Sequence, residues 1–133
     1  MEILSPMLLT ESVDVSMVSD AIKNRYRVVI NYVGDPEHGI ADGIRTIEVY
    51  AYGLTKAGNP VIRAYQPYGD TVTTTPNWKF FRLDRITSWK QTYSLIQRPA
   101  PKFNPNGDRS MSQVYLIADF SKPTGERNTN GPK

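Results

Sequence analysis

Residues 45–66 carry the clearest architectural signal in the chain: Arg45-Thr46-Ile47-Glu48-Val49-Tyr50-Ala51-Tyr52, then Lys56-Ala57-Gly58-Asn59-Pro60, then Val61-Ile62-Arg63-Ala64-Tyr65-Gln66. The first run alternates, with Ile47, Val49 and Ala51 on one face and Thr46, Glu48, Tyr50 and Tyr52 on the other, the period of a half-buried strand. The Gly-Asn-Pro punctuation turns the chain, and the third run resumes extended structure. An antiparallel hairpin over 45–66 is predicted.

Upstream, Arg27-Val28-Val29-Ile30-Asn31-Tyr32-Val33 is rich in β-branched and aromatic residues and closes on Gly34-Asp35-Pro36, a strand ending in a turn. Residues 35–43 read as a loop. Before that strand, Asp14 precedes Val15, Met17, Val18, Ala21 and Ile22, an N-cap ahead of apolar residues at helical spacing, so a short amphipathic helix is expected near 15–25. Downstream of the hairpin, 67–77 reads as a second loop. Trp78-Lys79-Phe80-Phe81-Arg82-Leu83-Asp84-Arg85-Ile86 reads as a fourth strand, and Thr87–Ile96 as a fifth. Short strands separated by turn signals predict a mainly β fold, a small barrel with short flanking helices. Gly107-Asp108-Arg109-Ser110 offers a cap ahead of Met111, Val114, Tyr115 and Ala118, which favours a short helix near 110–119; the alternative is an edge strand over Val114–Phe120. Residues 121–133 read as a solvated tail.

The chain has 133 residues, a length suited to one domain. Within it, 1–97 read as the barrel unit with its N-terminal helix and 98–133 as a Pro-rich basic extension, since the extension holds five of the ten prolines and six cations against three anions. There is no cysteine, which excludes disulfides, Cys-ligated zinc, iron–sulfur clusters and thiol catalysis. With one histidine, general-base chemistry lacks its usual agent, and no Gly-rich phosphate loop is present; the expectation is a non-enzyme with no cofactor and no metal. No segment has membrane-spanning length, and the N-terminus resembles neither a secretory signal nor a transit peptide, so a cytoplasmic protein with no membrane partner is expected. Net charge is +3, a mild basic excess that suits a nucleic-acid partner without establishing one.

The order of a helix, the Arg27–Tyr32 strand, Arg45–Leu54, Gly58-Asn59-Pro60-Val61-Ile62-Arg63-Ala64-Tyr65 and Phe81-Arg82-Leu83-Asp84-Arg85-Ile86 resembles the WYL domain family over roughly residues 15–90. The Phe-Arg-Leu-Asp-Arg-Ile block after the Arg-x-Ile-Glu strand is its most specific piece. Pro60-Val61-Ile62 stands where the family has Trp-Tyr-Leu. The resemblance implies an SH3-like, Sm-type β-barrel that binds nucleic acid or nucleotide-like ligands through basic residues, which by motif position are Arg45, Arg63, Arg82 and Arg85. The stretch before the first strand is too short for a helix-turn-helix reader, so the expectation is a free-standing ligand module of the kind found in bacteria and their phages.

Arginines interleaved with aromatics suit single-stranded nucleic acid, because guanidinium groups fork onto phosphates while rings stack on bases. Arg63, Arg82, Arg85, Tyr50, Tyr65, Trp78 and Phe80 are the residues so placed. The structural alternative pairs Arg82 and Arg85 with Asp84 and Glu48 and puts the aromatics in a small core. Asp35, Glu37, His38 and Asp42 gather possible oxygen and nitrogen ligands in one loop, but their spacing matches no metal motif and a solvated loop is expected. Lys102, Arg109, Lys122, Arg127 and Lys133 could trail along a phosphate backbone as a basic arm, but six cations over 36 residues are too dilute to decide between an arm and a solvated tail. The expected function is regulatory or accessory binding of single-stranded DNA or RNA, or of a nucleotide-like ligand. The alternative is a protein-interaction or assembly module, for example a phage accessory or virion-associated protein, that docks through strand edges or the C-terminal segment.

Overall fold

The structure is a computed structural model, and it describes residues 13–34, 41–69 and 77–121. Helix α1 (Val15–Asn24) starts where expected: the Asp14 carboxylate accepts hydrogen bonds from the Ser16 and Met17 N–H groups at 3.0 and 3.2 Å. These answer two of the donors that every helix N-terminus leaves unpaired. Arg25 ends the helix in the left-handed conformation at φ 59°, and its N–H returns to the Ala21 carbonyl. Val18, Ala21 and Ile22 form the buried stripe that docks the helix on the sheet.

Six strands follow: β1 (Tyr26–Tyr32), β2 (Gly43–Leu54), β3 (Pro60–Gly69), β4 (Asn77–Arg82), β5 (Ile86–Leu95) and β6 (Gln113–Ile117). They form one antiparallel sheet in the order β4-β3-β2-β1-β5, with β6 also pairing β2. The predicted hairpin is β2–β3. Its second strand runs on to Gly69, three residues into the stretch read as a loop, while 70–76 lie outside the described residues.

The sheet is not closed into a barrel. Its two end strands, β4 and β5, are joined by a one-turn 3-10 helix, Leu83–Arg85, which replaces the end of the single strand expected over 78–86. That turn is pinned to the end of β1: Val33 N–H donates to the Arg85 carbonyl, Arg82 N–H to the Tyr32 hydroxyl, and Arg85 Nη1 to the Gly34 carbonyl. Chain crossing from one side of the sheet to the other needs a turn here, and residue alternation alone does not show it.

β2 is not half-buried. Arg45, Ile47, Glu48, Val49, Tyr50, Ala51 and Tyr52 are all buried, from both faces. The strand is flanked by β3 on one side, and on the other by β1 over its first half and β6 over its second. Register shifts at Thr46/Glu48 and Val49/Ala51 bend it and break strict alternation.

The helix favoured near 110–119 is absent; β6 lies there and overlaps the edge-strand alternative over Val114–Ile117. The cap itself forms, since Ser110 N–H donates to the Asp108 carboxylate at 2.9 Å, but it closes a turn instead of opening a helix. Val114-Tyr115-Leu116-Ile117 is β-prone and meets an unpaired half of β2. β6 thus places part of the C-terminal extension in the same sheet as the hairpin. Residues 122–133, including Lys122, Arg127 and Lys133, lie outside the described residues, as do Asp35, Glu37 and His38 of the loop.

Candidate ligand-binding cleft

Along β3, Ile62, Ala64 and Gln66 are buried, and by alternation Arg63 and Tyr65 project from the opposite face. The β3–β4 register sets Arg63 beside Phe80 and Tyr65 beside Trp78, so all four share that face, while Phe81 enters the main core with Ile62 and Ala64. The chain after β5 crosses this face. Trp78 Nε1 donates to the Pro101 carbonyl at 2.8 Å, and Asp108 reaches Arg63.

Between the sheet and that crossing segment lies an open cavity of about 250 Å³. Its aromatic lining is Tyr50, Trp78 and Phe103; its charged lining is Arg63, Lys102, Arg109 and Asp108. The Tyr50 ring is fully buried at the base, 5.1 Å from the Trp78 ring and 4.9 Å from that of Phe103. Its hydroxyl donates to Glu48 Oε1 at 2.6 Å and accepts from Ala100 N–H at 3.0 Å, while Arg27 Nε donates to Glu48 Oε2 at 2.8 Å. Burial, then the hydrogen bond to Glu48 and that carboxylate's charge, push the Tyr50 phenol well above its ordinary pKa. Tyr50 is therefore a neutral structural base, not an exposed stacking ring.

Arg63 lies with its guanidinium carbon 4.3 Å from the Phe80 ring centroid, and donates from Nε and Nη2 to the two Asp108 oxygens at 2.7 and 3.2 Å. Burial raises the Asp108 pKa, but hydrogen bonds from Arg63 and from Ser110 N–H, with the charge of Arg63, outweigh it and hold the carboxyl below its ordinary value. Lys102 and Arg109 are exposed, and among the described residues neither has an ion-pair partner. The cleft therefore holds three cations against one carboxylate.

The four arginines expected to converge do not. Arg45 is 1% exposed: Nη1 donates to Gln66 Oε1 at 2.7 Å, Nη2 to the Ala41 carbonyl, and the guanidinium carbon lies 5.3 Å from the Phe81 ring and 5.7 Å from that of Tyr32. It is an interior group. Arg82 pairs with Asp84 at the exposed 3-10 turn, in line with the structural alternative, and Arg85 binds the Gly34 carbonyl. Glu48 is taken by Arg27 and Tyr50, not by Arg85. Of the predicted set, Arg63, Trp78 and Tyr50 line the cleft, with Tyr65 and Phe80 packed against Trp78 and Arg63 respectively.

Phe103 and Asp108 join the site although the sequence gives no reason to include them, and Lys102 and Arg109 of the C-terminal segment line it as well. No local pattern marks these four, because their place depends on where the segment crosses the sheet. Among the described residues no group of three His, Cys, Asp or Glu side chains is placed to hold a metal ion, and no helix is long and apolar enough to cross a membrane. Comparison with family models, with curated proteins and with solved structures finds no match for this chain.

Proposed function

We propose that this chain is a WYL-like, non-enzymatic module that binds single-stranded nucleic acid or a nucleotide-like ligand in a regulatory or accessory role, with the cleft between β3–β4 and the 101–110 segment as its site. One observation carries the reading: Trp78 and Phe103 offer ring surface beside three cations around a single open cavity. Flat rings accept a base of any sequence, while guanidinium and ammonium groups answer phosphate. The strand order, in which β5 returns to β1 after a 3-10 turn, supports reading the sheet as a partly open SH3-like barrel. The phosphate-binding role moves from the motif-matched arginines to Arg63, Lys102 and Arg109, with Arg45 left a fold residue.

Fluorescence anisotropy with a labelled ten-nucleotide single strand, across a salt series from 50 to 200 mM, tests this. Binding should weaken with salt, and Lys102→Ala with Arg109→Ala should flatten the log–log slope by about 1.4, at roughly 0.7 for each single-strand phosphate left without its cation. Arg82→Ala with Arg85→Ala should leave the slope as it was. No binding at 50 mM salt, or equal effects of the two double variants, would remove the basis for the proposal.

A further inference from the structure

We propose that Asp108 is a built-in anion: it occupies the guanidinium fork of Arg63 and gives it up when a phosphate-bearing ligand enters the cleft. This rests on the reading of the cleft as a phosphate site. Packing on the Phe80 ring at 4.3 Å fixes the plane of the Arg63 guanidinium, and Asp108 engages its edge with both oxygens, the bidentate geometry that carboxylates and phosphates share.

The carboxylate does not belong to the sheet. It lies 45 residues beyond Arg63, immediately after Gly107 at φ 153°, in a turn held by Met111 N–H on its own carbonyl and Ser110 N–H on its side chain. Its withdrawal therefore breaks no strand pairing. Charge sets the direction of exchange. One carboxylate answers Arg63 and leaves Lys102 and Arg109 unanswered in the same cleft. Each phosphodiester of a strand carries one negative charge and two free acceptor oxygens, so one can take the fork while its neighbour answers a second cation. A simple carboxylate ligand gains nothing comparable over Asp108, so the latch screens against isolated monoanions while yielding to a strand that presents several phosphates at once.

The test is anisotropy of a fluorescein-labelled ten-thymidine strand on the wild type, Asp108→Asn, and Asp108→Asn combined with Arg63→Gln. Asp108→Asn should bind about tenfold more tightly than the wild type, and the double variant should lose that gain, because the gain runs through the fork. Wild-type binding with Asp108→Asn no tighter would make Asp108 a plain structural tie and overturn the latch alone. If neither protein binds, the phosphate-site reading fails and the latch falls with it. A readout that needs no substitution is hydrogen exchange at the Ser110 amide in the wild type. Saturating oligonucleotide should speed it as its acceptor leaves, and unchanged or slower exchange under saturation overturns the displacement.

Discussion

Tyr50 shows what one buried hydroxyl holds together. It answers Glu48 from β2 and Ala100 from the segment beyond β5, in a site where neither partner reaches water freely. Tyr50→Phe keeps the ring stack but strands a carboxylate oxygen and an amide, and should cost about 1–3 kcal/mol in urea unfolding. The same burial carries a pH signature. Because folding raises the phenol pKa of Tyr50, and by burial that of Tyr32 also, the native state favours their neutral forms. Their contribution is complete below the ordinary tyrosine pKa of about 10 and is lost as pH rises through the folded values, so stability should fall above about pH 10. Ultraviolet titration should show these two tyrosines ionising above the ordinary tyrosine range. Arg45 belongs to this scale as well. Its charge and its place in a family-like motif suggest a ligand-binding role, yet its surroundings are two rings, an amide and a carbonyl. Residue type announces chemistry; only packing tells whether solvent can reach it.

At the scale of elements, β6 is decided by one glycine. A Cβ on Gly53 would overlap the Gln113 carbonyl oxygen and come within 2.8 Å of Met111 Sδ. The obstacle is backbone of the neighbouring strand and cannot swing aside, so Gly53→Ala should exceed the usual overpacking cost of about 1–3 kcal/mol. Amide exchange should show protection vanishing first in Gln113–Ile117, and a variant in which β6 stays as protected as β1 would refute this account. The same pairing explains why an apolar set at helical spacing became a strand: a bare half of β2 offers ladder hydrogen bonds that an isolated short helix cannot match. The end strand β5 bears on the protein-docking alternative. It carries Lys90 and pairs with β1 through two register shifts, devices that blunt an edge against strand addition.

Across the whole molecule, the core is built from both ends of the chain. Val18 and Ile22 of α1 share one cluster with Ile47 and Tyr50 of β2 and with Ile96, Ala100 and Ala118, against which Phe103 and Phe120 pack. A chain ending at residue 97 therefore lacks β6, part of the cluster and one wall of the cleft together. It should lose the cooperative thermal transition and near-ultraviolet aromatic signal of the full chain, both read by circular dichroism. A sharp transition near the full-length midpoint would show that the first 97 residues suffice. The cleft is subject to the same logic, since it exists only where the 101–110 segment lies on β3–β4.

Local chemistry alone determined the helix with its Asp14 cap, the β2–β3 hairpin, the strands on either side of it and the absence of thiol chemistry, because capping, alternation and turn residues act between near neighbours in the chain. Tertiary structure decided the rest: the open sheet with its 3-10 link, β6 in place of a helix, the burial of Arg45, and the meeting of Arg63 with Asp108 beside Lys102 and Arg109. Those outcomes depend on which distant segment covers which face, and burial and charge pairing across such distances leave no periodic trace in the order of residues.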